Sequence, residues 1–264
     1  MRRPSFPVEL FLHLAATSPT RELAWDCATG LGETALCLTH FFERVLASDA
    51  SAERIRRAAP HERISYRAER AEETTIAPGS VDLITVAQAL HWLEPATFYR
   101  QARRVLKPGG ILAAWSYRRC TISPAVDRAC GRFYETVDPY WEPEYRLVQQ
   151  GYRTLPFPFE KLPSPELALR AKWTLDELIE HLGTWSATRR FAAERGRDPR
   201  VGLTRELANA WEPPEAEREV RWPLTLLVGK VSPRSRAQAG ANRARGRAAP
   251  PHGLPPAPRR SPLA

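Results

Sequence analysis

The first residues whose spacing suggests chemistry lie in the stretch AWDCATGLGETA, from Ala24 to Ala35. An apolar run ends there at Asp26, and Gly30 and Gly32 follow it. Glycines at the end of a strand let a ligand approach the backbone, and the helix after such a turn offers free N–H groups and the positive end of its dipole. The stretch therefore predicts a site for a nucleotide-like ligand.

Two classes of ligand fit this turn. From Gly30 the letters GLGETA match the G-x-G-x-x-G/A pattern of a dinucleotide fold, and Asp49 lies 19 residues further on, where a ribose-binding acid belongs. Asp26 opposes that interpretation, because a carboxylate at the strand end is unfavourable beside an anionic pyrophosphate. A cationic ligand that carries a ribose, such as S-adenosylmethionine, suits both acids.

Short apolar runs alternate with helical stretches between residues 22 and 117, which is typical of βαβ units with a largely parallel sheet. Strands are expected at residues 22–27, 44–49, 64–69, 81–88 and 111–117, and helices at residues 32–43, 51–59 and 95–106. LKPGG, residues 106–110, predicts a turn before strand five, since proline and paired glycines stop a helix.

Beyond strand five the sequence becomes aromatic and arginine-rich, and residues 118–216 predict a helical cap with helices at residues 124–137, 174–182 and 200–211. Thr174 and Glu177 have the spacing of a capping box. Residues 217–230 predict a final strand, and residues 1–21 an N-terminal helix. The expected fold class is α/β: a Rossmann-like, doubly wound, mostly parallel seven-stranded sheet, with the cap inserted after strand five.

The net charge of +9 is concentrated at the C-terminus. Residues 231–264 hold seven arginines, seven prolines and no acid, so the preceding residues carry only about +2. Such a tail has too little apolar surface to offset its chain entropy, and we predict that it is disordered. Nucleic acid is therefore not an expected partner, except through this basic tail.

The four cysteines lack the spacing of a metal site, so no metal is expected, and they predict reduced, mostly buried thiols: Cys27, Cys37, Cys120 and Cys130. Paired arginines near the start precede a stretch that Pro7, Glu9 and His13 interrupt, which favours an amphipathic helix over an export signal. No run approaches the roughly 18 apolar residues of a membrane helix. A cytoplasmic protein without a membrane partner is expected.

The order of these motifs resembles that of the class I S-adenosylmethionine-dependent methyltransferases, in the methyltransferase type 11 group. The first motif of that family is acid-x-G-x-G-x-G, and this chain has DCATGLG, with Ala28 in place of the first glycine. Asp49 in ASDAS, the region AEETTIAPGSVDLITVAQALHW and the turn LKPGG follow in the family's order. The resemblance covers about residues 22–117 and implies S-adenosyl-L-methionine as the cofactor.

The resemblance also implies a role for each cofactor-site residue. Gly30 and Gly32 would lie against the methionine part of the cofactor, with Asp26 near its amino group. Asp49 would hold the ribose hydroxyls, and it has an alternative use as the N-cap of the next helix. Gln88, at the end of strand four, would face the cleft and contact the methionine moiety. Ala71 and Glu72, after strand three, would flank the adenine. Glu72 is equally well explained as a solvated loop charge.

The acceptor side is predicted from fewer residues. His91 and Trp92 lie at the edge where an acceptor would enter, and His91 is the first candidate base for a hydroxyl, amine or carbon acid, or else one of a packed loop pair. Arg118 and Arg119 would clamp an acidic acceptor, or remain surface charges. The predicted function is methyl transfer to a small-molecule acceptor, with a carboxylic acid, which needs no base, as the first class to test.

Three segments narrow the resemblance. QALHW, WTLDELIEHLGTWSA and WPLTLLVGKV are similar to the trans-aconitate methyltransferase-like subgroup, in which helices after strand five build the acceptor pocket. That subgroup has an aromatic lid segment before an RPxYP element, and here RRPSFP stands near the start, so a shortened lid is expected. Two alternatives stay open: an NAD-dependent oxidoreductase, and a non-enzymatic, degenerate methyltransferase fold whose tail binds nucleic acid.

Overall fold

A sheet of eight strands lies at the centre of the computed structural model, which describes residues 4–231. The strands are β1 (Leu23–Cys27), β2 (Arg44–Asp49), β3 (Ile64–Ala68), β4 (Val81–Ala87), β5 (Leu106–Tyr117), β6 (Glu160–Lys161), β7 (Ala168–Trp173) and β8 (Arg218–Lys230). Their order is β3-β2-β1-β4-β5-β8-β6, with β7 also beside β8. Strands β1 to β5 pair in parallel, and β8 runs antiparallel to its neighbours. The order reverses between β1 and β4, which is where open α/β sheets bind ligands.

Helices cover both faces of the parallel strands. The described helices are α1 (Val8–Thr17), α2 (Glu33–Leu38), α3 (Ala52–Arg57), α4 (Pro95–Val105), α5 (Pro124–Val137), α6 (Tyr145–Gln149), α7 (Leu175–Gly183), α8 (Ser186–Arg195) and α9 (Arg200–Trp211). On one face Phe98 of α4 packs against Trp25. On the other face Phe11 of α1 meets Trp115 of β5. Both faces of the sheet are therefore buried, and the central strands read as continuous apolar runs.

Strand β8 belongs to two packing environments. Its first half, Arg218 to Pro223, pairs with β7, and its second half, Leu224 to Lys230, pairs with β5. The change of partner falls at Pro223, which has no N–H to donate to a ladder. A separate apolar cluster forms around the first half of β8, and it includes Trp173 and Trp222, whose ring centroids are 4.8 Å apart.

The structure confirms the expected fold class and refines its details. The sheet has eight strands among the described residues rather than seven, because β6 and β7 add antiparallel partners to β8. LKPGG is not a loop between helix and strand. Strand β5 begins at Leu106, which pairs with Val81, whereas Ile111 pairs with Leu83, so residues 107–110 form a bulge. Lys107 in this bulge makes a 2.9 Å ion pair with the buried carboxylate of Asp82.

The cap, residues 118–216, contains the three expected helices as α5, α7 and α9, and Thr174 with Glu177 forms the capping box of α7. The sequence did not indicate α6, α8, β6 or β7. Helix α2 ends at Leu38 rather than at residue 43. The predicted domain boundaries at residues 22, 118 and 217 stay predictions.

Two sequence predictions fall wholly or partly outside the described residues. These are the disordered tail, of which the structure describes only Val231, and the paired arginines of the first three residues. Between residues 4 and 231, no helix is both long enough and apolar enough to cross a membrane.

Candidate functional site

A cavity of about 690 Å³ opens at the carboxyl ends of β1, β2 and β4, where the strand order reverses. Of the sequence-predicted site residues, six line it: Gly30, Asp49, Ala71, Glu72, Gln88 and Trp92. They come from four separate loops, so the parallel register of the sheet brings them together. We call this space the strand-end cavity.

The turn between β1 and α2 takes the left-handed backbone conformation at three positions. Ala28 has φ +56°, Gly30 +62° and Gly32 +86°. No atom lies within 4 Å of the point that a Cβ at Gly30 would occupy, whereas a Cβ at Gly32 would collide with the Tyr66 hydroxyl. Gly30 therefore leaves the cavity wall bare. Gly32, which does not line the cavity, permits close packing between α2 and β3.

Asp49 is the carboxylate best placed for a ligand. Its side chain is buried at the end of β2, yet it lines the cavity. Its Oδ2 accepts from Gly30 N at 3.0 Å and its Oδ1 accepts from Ser51 N at 2.9 Å. Each oxygen keeps a second lone pair for a further donor. The N-cap of α3 is Ser51, not Asp49, because the Ser51 hydroxyl accepts from Arg54 N.

Asp26 lies behind the cavity wall rather than on it. It is fully buried, its Oδ1 accepts from the Thr85 hydroxyl at 2.7 Å, and its Oδ2 accepts from the Thr29 hydroxyl. Burial raises the pKa of Asp26 to about 6, against the lowering effect of these hydroxyls. Thr29 lines the cavity, so the structure places its hydroxyl, and not the carboxylate, at the surface of the site.

Glu72 and Gln88 are both held by the backbone. Glu72 is buried, and its Oε1 accepts from Glu94 N at 3.0 Å, so it is not a solvated loop charge. Gln88 adopts a left-handed conformation with φ +53°, and its Nε2 donates to Tyr117 O at 3.2 Å. A left-handed non-glycine residue is uncommon and occurs often at ligand sites, where surrounding contacts maintain it.

His91 does not line the cavity. Its side chain is buried, and its Nδ1 lies 3.1 Å from the hydroxyl of Tyr152, itself a buried residue with φ +56°. Burial lowers the pKa of His91 to about 4, although Glu144 and Glu142 oppose the shift. Trp92 next to it is 53% exposed and does line the cavity. The structure thus places Trp92 at the site and His91 in a packed layer behind it.

Arg118 and Arg119 line a different space, a cavity of about 630 Å³ bounded by cap residues. We call it the cap cavity. Tyr117, the residue before them, lines the strand-end cavity, so the linings of the two cavities contain consecutive residues at the end of β5.

Sequence reasoning missed several lining residues, of which Phe6 is the most informative. It comes from the segment before α1, and its ring lies 5.5 Å from that of Trp115. RRPSFP was the available signal, because an aromatic residue stands there just ahead of the first helix. An N-terminal segment therefore covers part of the cavity, even though its helix starts at Val8.

The strand-end cavity fits an adenosine ligand with a cationic end. Its volume suits a molecule of that size. Asp49 offers free lone pairs to a pair of hydroxyls, and Gly30 leaves room for close approach. A buried carboxylate also lies close behind, since Asp26 is linked to the wall through Thr29.

Comparisons with known proteins agree with this geometry. Residues 25–114 match the family model described as a methyltransferase domain. A type II methyltransferase structure from Anaeromyxobacter dehalogenans is 38% identical, with a TM-score of 0.84, and the match covers 88% of this chain and all of that one. A Dictyostelium discoideum methyltransferase is 28% identical over 86% of this chain and 90% of its own length.

A third relative matches a shorter part of the chain. An uncharacterized methyltransferase of Mycobacterium tuberculosis H37Rv is 35% identical over 44% of this chain and 48% of that protein. The likeness decides between the two cofactor classes that the glycine turn left open, in favour of S-adenosylmethionine and against NAD. The narrower likeness to trans-aconitate methyltransferase-like proteins stays a prediction. The chain belongs to the class I S-adenosylmethionine-dependent methyltransferases.

Proposed function

We propose that this enzyme methylates a carboxylic acid of low molecular weight. The observation that carries the proposal is the pair Arg118 and Arg119, which line the cap cavity and directly follow Tyr117 of the strand-end cavity. Guanidinium groups bind carboxylates through paired hydrogen bonds. Among the described residues, no histidine lines either cavity, and a carboxylate acceptor needs no general base.

The cofactor contacts that we propose follow the geometry of the strand-end cavity. Asp49 holds the ribose hydroxyls, Ala71 and Glu72 flank the adenine, and Gly30 with Gln88 faces the methionine part. Asp26 acts on the cofactor's amino group through the Thr29 hydroxyl rather than by contact. Gly32 serves packing against Tyr66.

When bound, the cofactor would supply a methyl group on sulfonium, which an acceptor oxygen would take while sulfur would keep the electron pair of the carbon–sulfur bond. The protein's own contribution is to hold the acceptor in line and to exclude water. Phe6, Trp92 and Tyr117 give the cavity an aromatic rim that serves this purpose. We assign no proton transfer to His91, because its side chain is buried and lines neither cavity.

Calorimetric titration with S-adenosylhomocysteine tests the cofactor assignment. We expect Asp49→Ala to weaken binding by about 100-fold, since two hydrogen bonds to a charged group are lost at about 1.5 kcal/mol each. Asp127→Ala is the matched control, because Asp127 also accepts from a backbone N–H, that of Ile122, but lies in the cap. Equal affinity in the wild type and Asp49→Ala would contradict the proposed ribose contact.

A further inference from the structure

Four aromatic side chains form part of the wall of the cap cavity, and their rings pack together. Trp141 and Tyr145 stack with centroids 4.0 Å apart, and Tyr134 stacks with Trp185 at 5.4 Å. Trp141 and Trp185 lie 5.5 Å apart, which joins the two pairs into one surface. All four residues line the cavity. A cluster of aromatic rings on a cavity wall favours a flat, unsaturated ligand, because aromatic rings pair favourably in offset-stacked or edge-to-face arrangements.

Charged side chains also line the cap cavity. The guanidinium of Arg119 lies 4.7 Å from the centroid of Tyr134, and no acid of the described residues forms an ion pair with it. Arg118 donates to Gln149 O, a carbonyl rather than an acid. Two acids also line the cavity: Glu135, which is exposed, and Asp138, which accepts from Gln149 Nε2. Arg118 and Arg119 are the groups of the cavity that can hold an anionic ligand.

Residues that line the cap cavity and the strand-end cavity are linked at two places. Tyr117 lines one space, and Arg118, the next residue, lines the other. The ring of His91 lies between the two linings. Its centroid is 4.7 Å from that of Trp92, a residue of the strand-end cavity, and 6.5 Å from that of Tyr145, a residue of the cap cavity. A ligand in the cap cavity with its charged end at the arginines thus has that end at the residues that directly follow Tyr117 of the strand-end cavity.

We propose that the acceptor is an aromatic or conjugated carboxylic acid, with its ring system in the cap cavity and its carboxylate at Arg118 and Arg119. This inference rests on the proposed function, and it adds the ring to the carboxylate. The ring lies against the wall of Tyr134, Trp141, Tyr145 and Trp185. The carboxylate would lie at the residues that follow Tyr117, which itself lines the strand-end cavity proposed for the methyl donor.

Titration of the full-length chain saturated with S-adenosylhomocysteine tests this class directly. Four probes separate shape from charge: trans-cinnamate, cinnamamide, cinnamylamine and hexanoate. We expect cinnamate to bind at least tenfold more tightly than each of the others and to quench tryptophan fluorescence, since Trp141 and Trp185 line the cavity. With S-adenosylmethionine in place of the product, the methyl ester of cinnamate is expected by mass spectrometry.

Variants place the binding in the cap cavity. We expect Arg119→Gln to weaken cinnamate binding by at least tenfold and Trp185→Leu to weaken it similarly, with the affinity for S-adenosylhomocysteine unchanged in both. Unchanged affinity for that ligand also reports that each variant is folded. Arg205→Gln is the control, because Arg205 is exposed on α9 and lines neither cavity.

The outcomes distinguish this inference from the proposed function. Hexanoate binding as tightly as cinnamate would overturn the aromatic class and leave the carboxylate acceptor standing. Cinnamamide or cinnamylamine binding as tightly as cinnamate would overturn the carboxylate acceptor itself. Cinnamate binding that Arg119→Gln leaves unchanged, or no binding by any probe to a chain that binds S-adenosylhomocysteine, would overturn the assignment of the cap cavity.

Discussion

At the scale of single residues, Asp26 and Asp49 show how two acids at the ends of neighbouring strands take different roles. Both were expected at the cofactor, because both follow apolar runs in a familiar order. Asp49 reaches the cavity with unused lone pairs, whereas both oxygens of Asp26 are occupied by threonine hydroxyls. Complete burial raises the pKa of the Asp26 carboxyl in the folded protein above its value in the unfolded chain. The stability of the fold therefore depends on pH through this group.

The pKa of Asp26 predicts how stability changes with pH. The pKa of Asp26 is about 6 in the folded protein and 3.8 for an ordinary aspartate, so between these values the folded state keeps a proton that the unfolded chain has lost. This favourable contribution is full below about pH 4 and is lost as pH rises through 6, a change of about 3 kcal/mol. Urea denaturation between pH 4 and 7 should show this fall in the wild type relative to Asp26→Asn.

His91 makes the comparison with Asp26→Asn necessary. Its pKa is lowered to about 4, so its contribution changes in the opposite direction over the same range and is present in both proteins. The difference between the two proteins therefore isolates Asp26. A difference that stays constant from pH 4 to 7 would show that the folded pKa of Asp26 is not raised.

At the scale of elements, the turn between β1 and α2 holds a backbone shape that its sequence only partly suits. Ala28 stands where the resembling family has glycine, and it nevertheless adopts a left-handed conformation. An L-residue with a Cβ is disfavoured there by about 1 kcal/mol. The surrounding backbone maintains the turn, since Thr29 N donates to Ser48 O at 2.9 Å and Gly32 N donates to Thr29 O at 3.0 Å.

Ala28→Gly is expected to raise the free energy of unfolding by up to about 1 kcal/mol, because it removes the strain of a left-handed Cβ. Gly30→Ala is the matched change in the same turn, and it should lower stability by about 1 kcal/mol through backbone strain alone, as its Cβ would meet no atom within 4 Å. Chemical denaturation measures both. If Ala28→Gly instead lowers the free energy of unfolding, the packing of the Ala28 methyl group contributes more than the backbone strain costs.

At the scale of the whole molecule, the positive charge is unevenly distributed along the chain. Residues 231–264 hold seven arginines, and residues 1–230 carry a net charge of only about +2. The residues that line the two cavities lie between Phe6 and Pro223. The catalytic function proposed here therefore depends on the described part of the chain.

Removing residues 232–264 should leave the affinity for S-adenosylhomocysteine unchanged. The same deletion should abolish any binding of the full chain to a generic RNA or DNA, and that binding should weaken steeply with salt, because arginine–phosphate contacts release counterions. Parallel titrations at two salt concentrations measure both effects. Nucleic-acid binding that survives the deletion would instead assign that binding to residues 1–231.

The sequence by itself determined the β–α alternation, the glycine turn and the acid at the end of β2, because these depend on local spacing and on chain order. Only the tertiary structure decided which of those residues reach the cavity. It buried Asp26 behind Thr29, turned Gly32 toward Tyr66 and placed His91 under Tyr152, 61 residues away. It also brought Trp141 and Trp185 beside Arg119, since contacts between distant segments are set by packing and leave no periodic signal in the sequence.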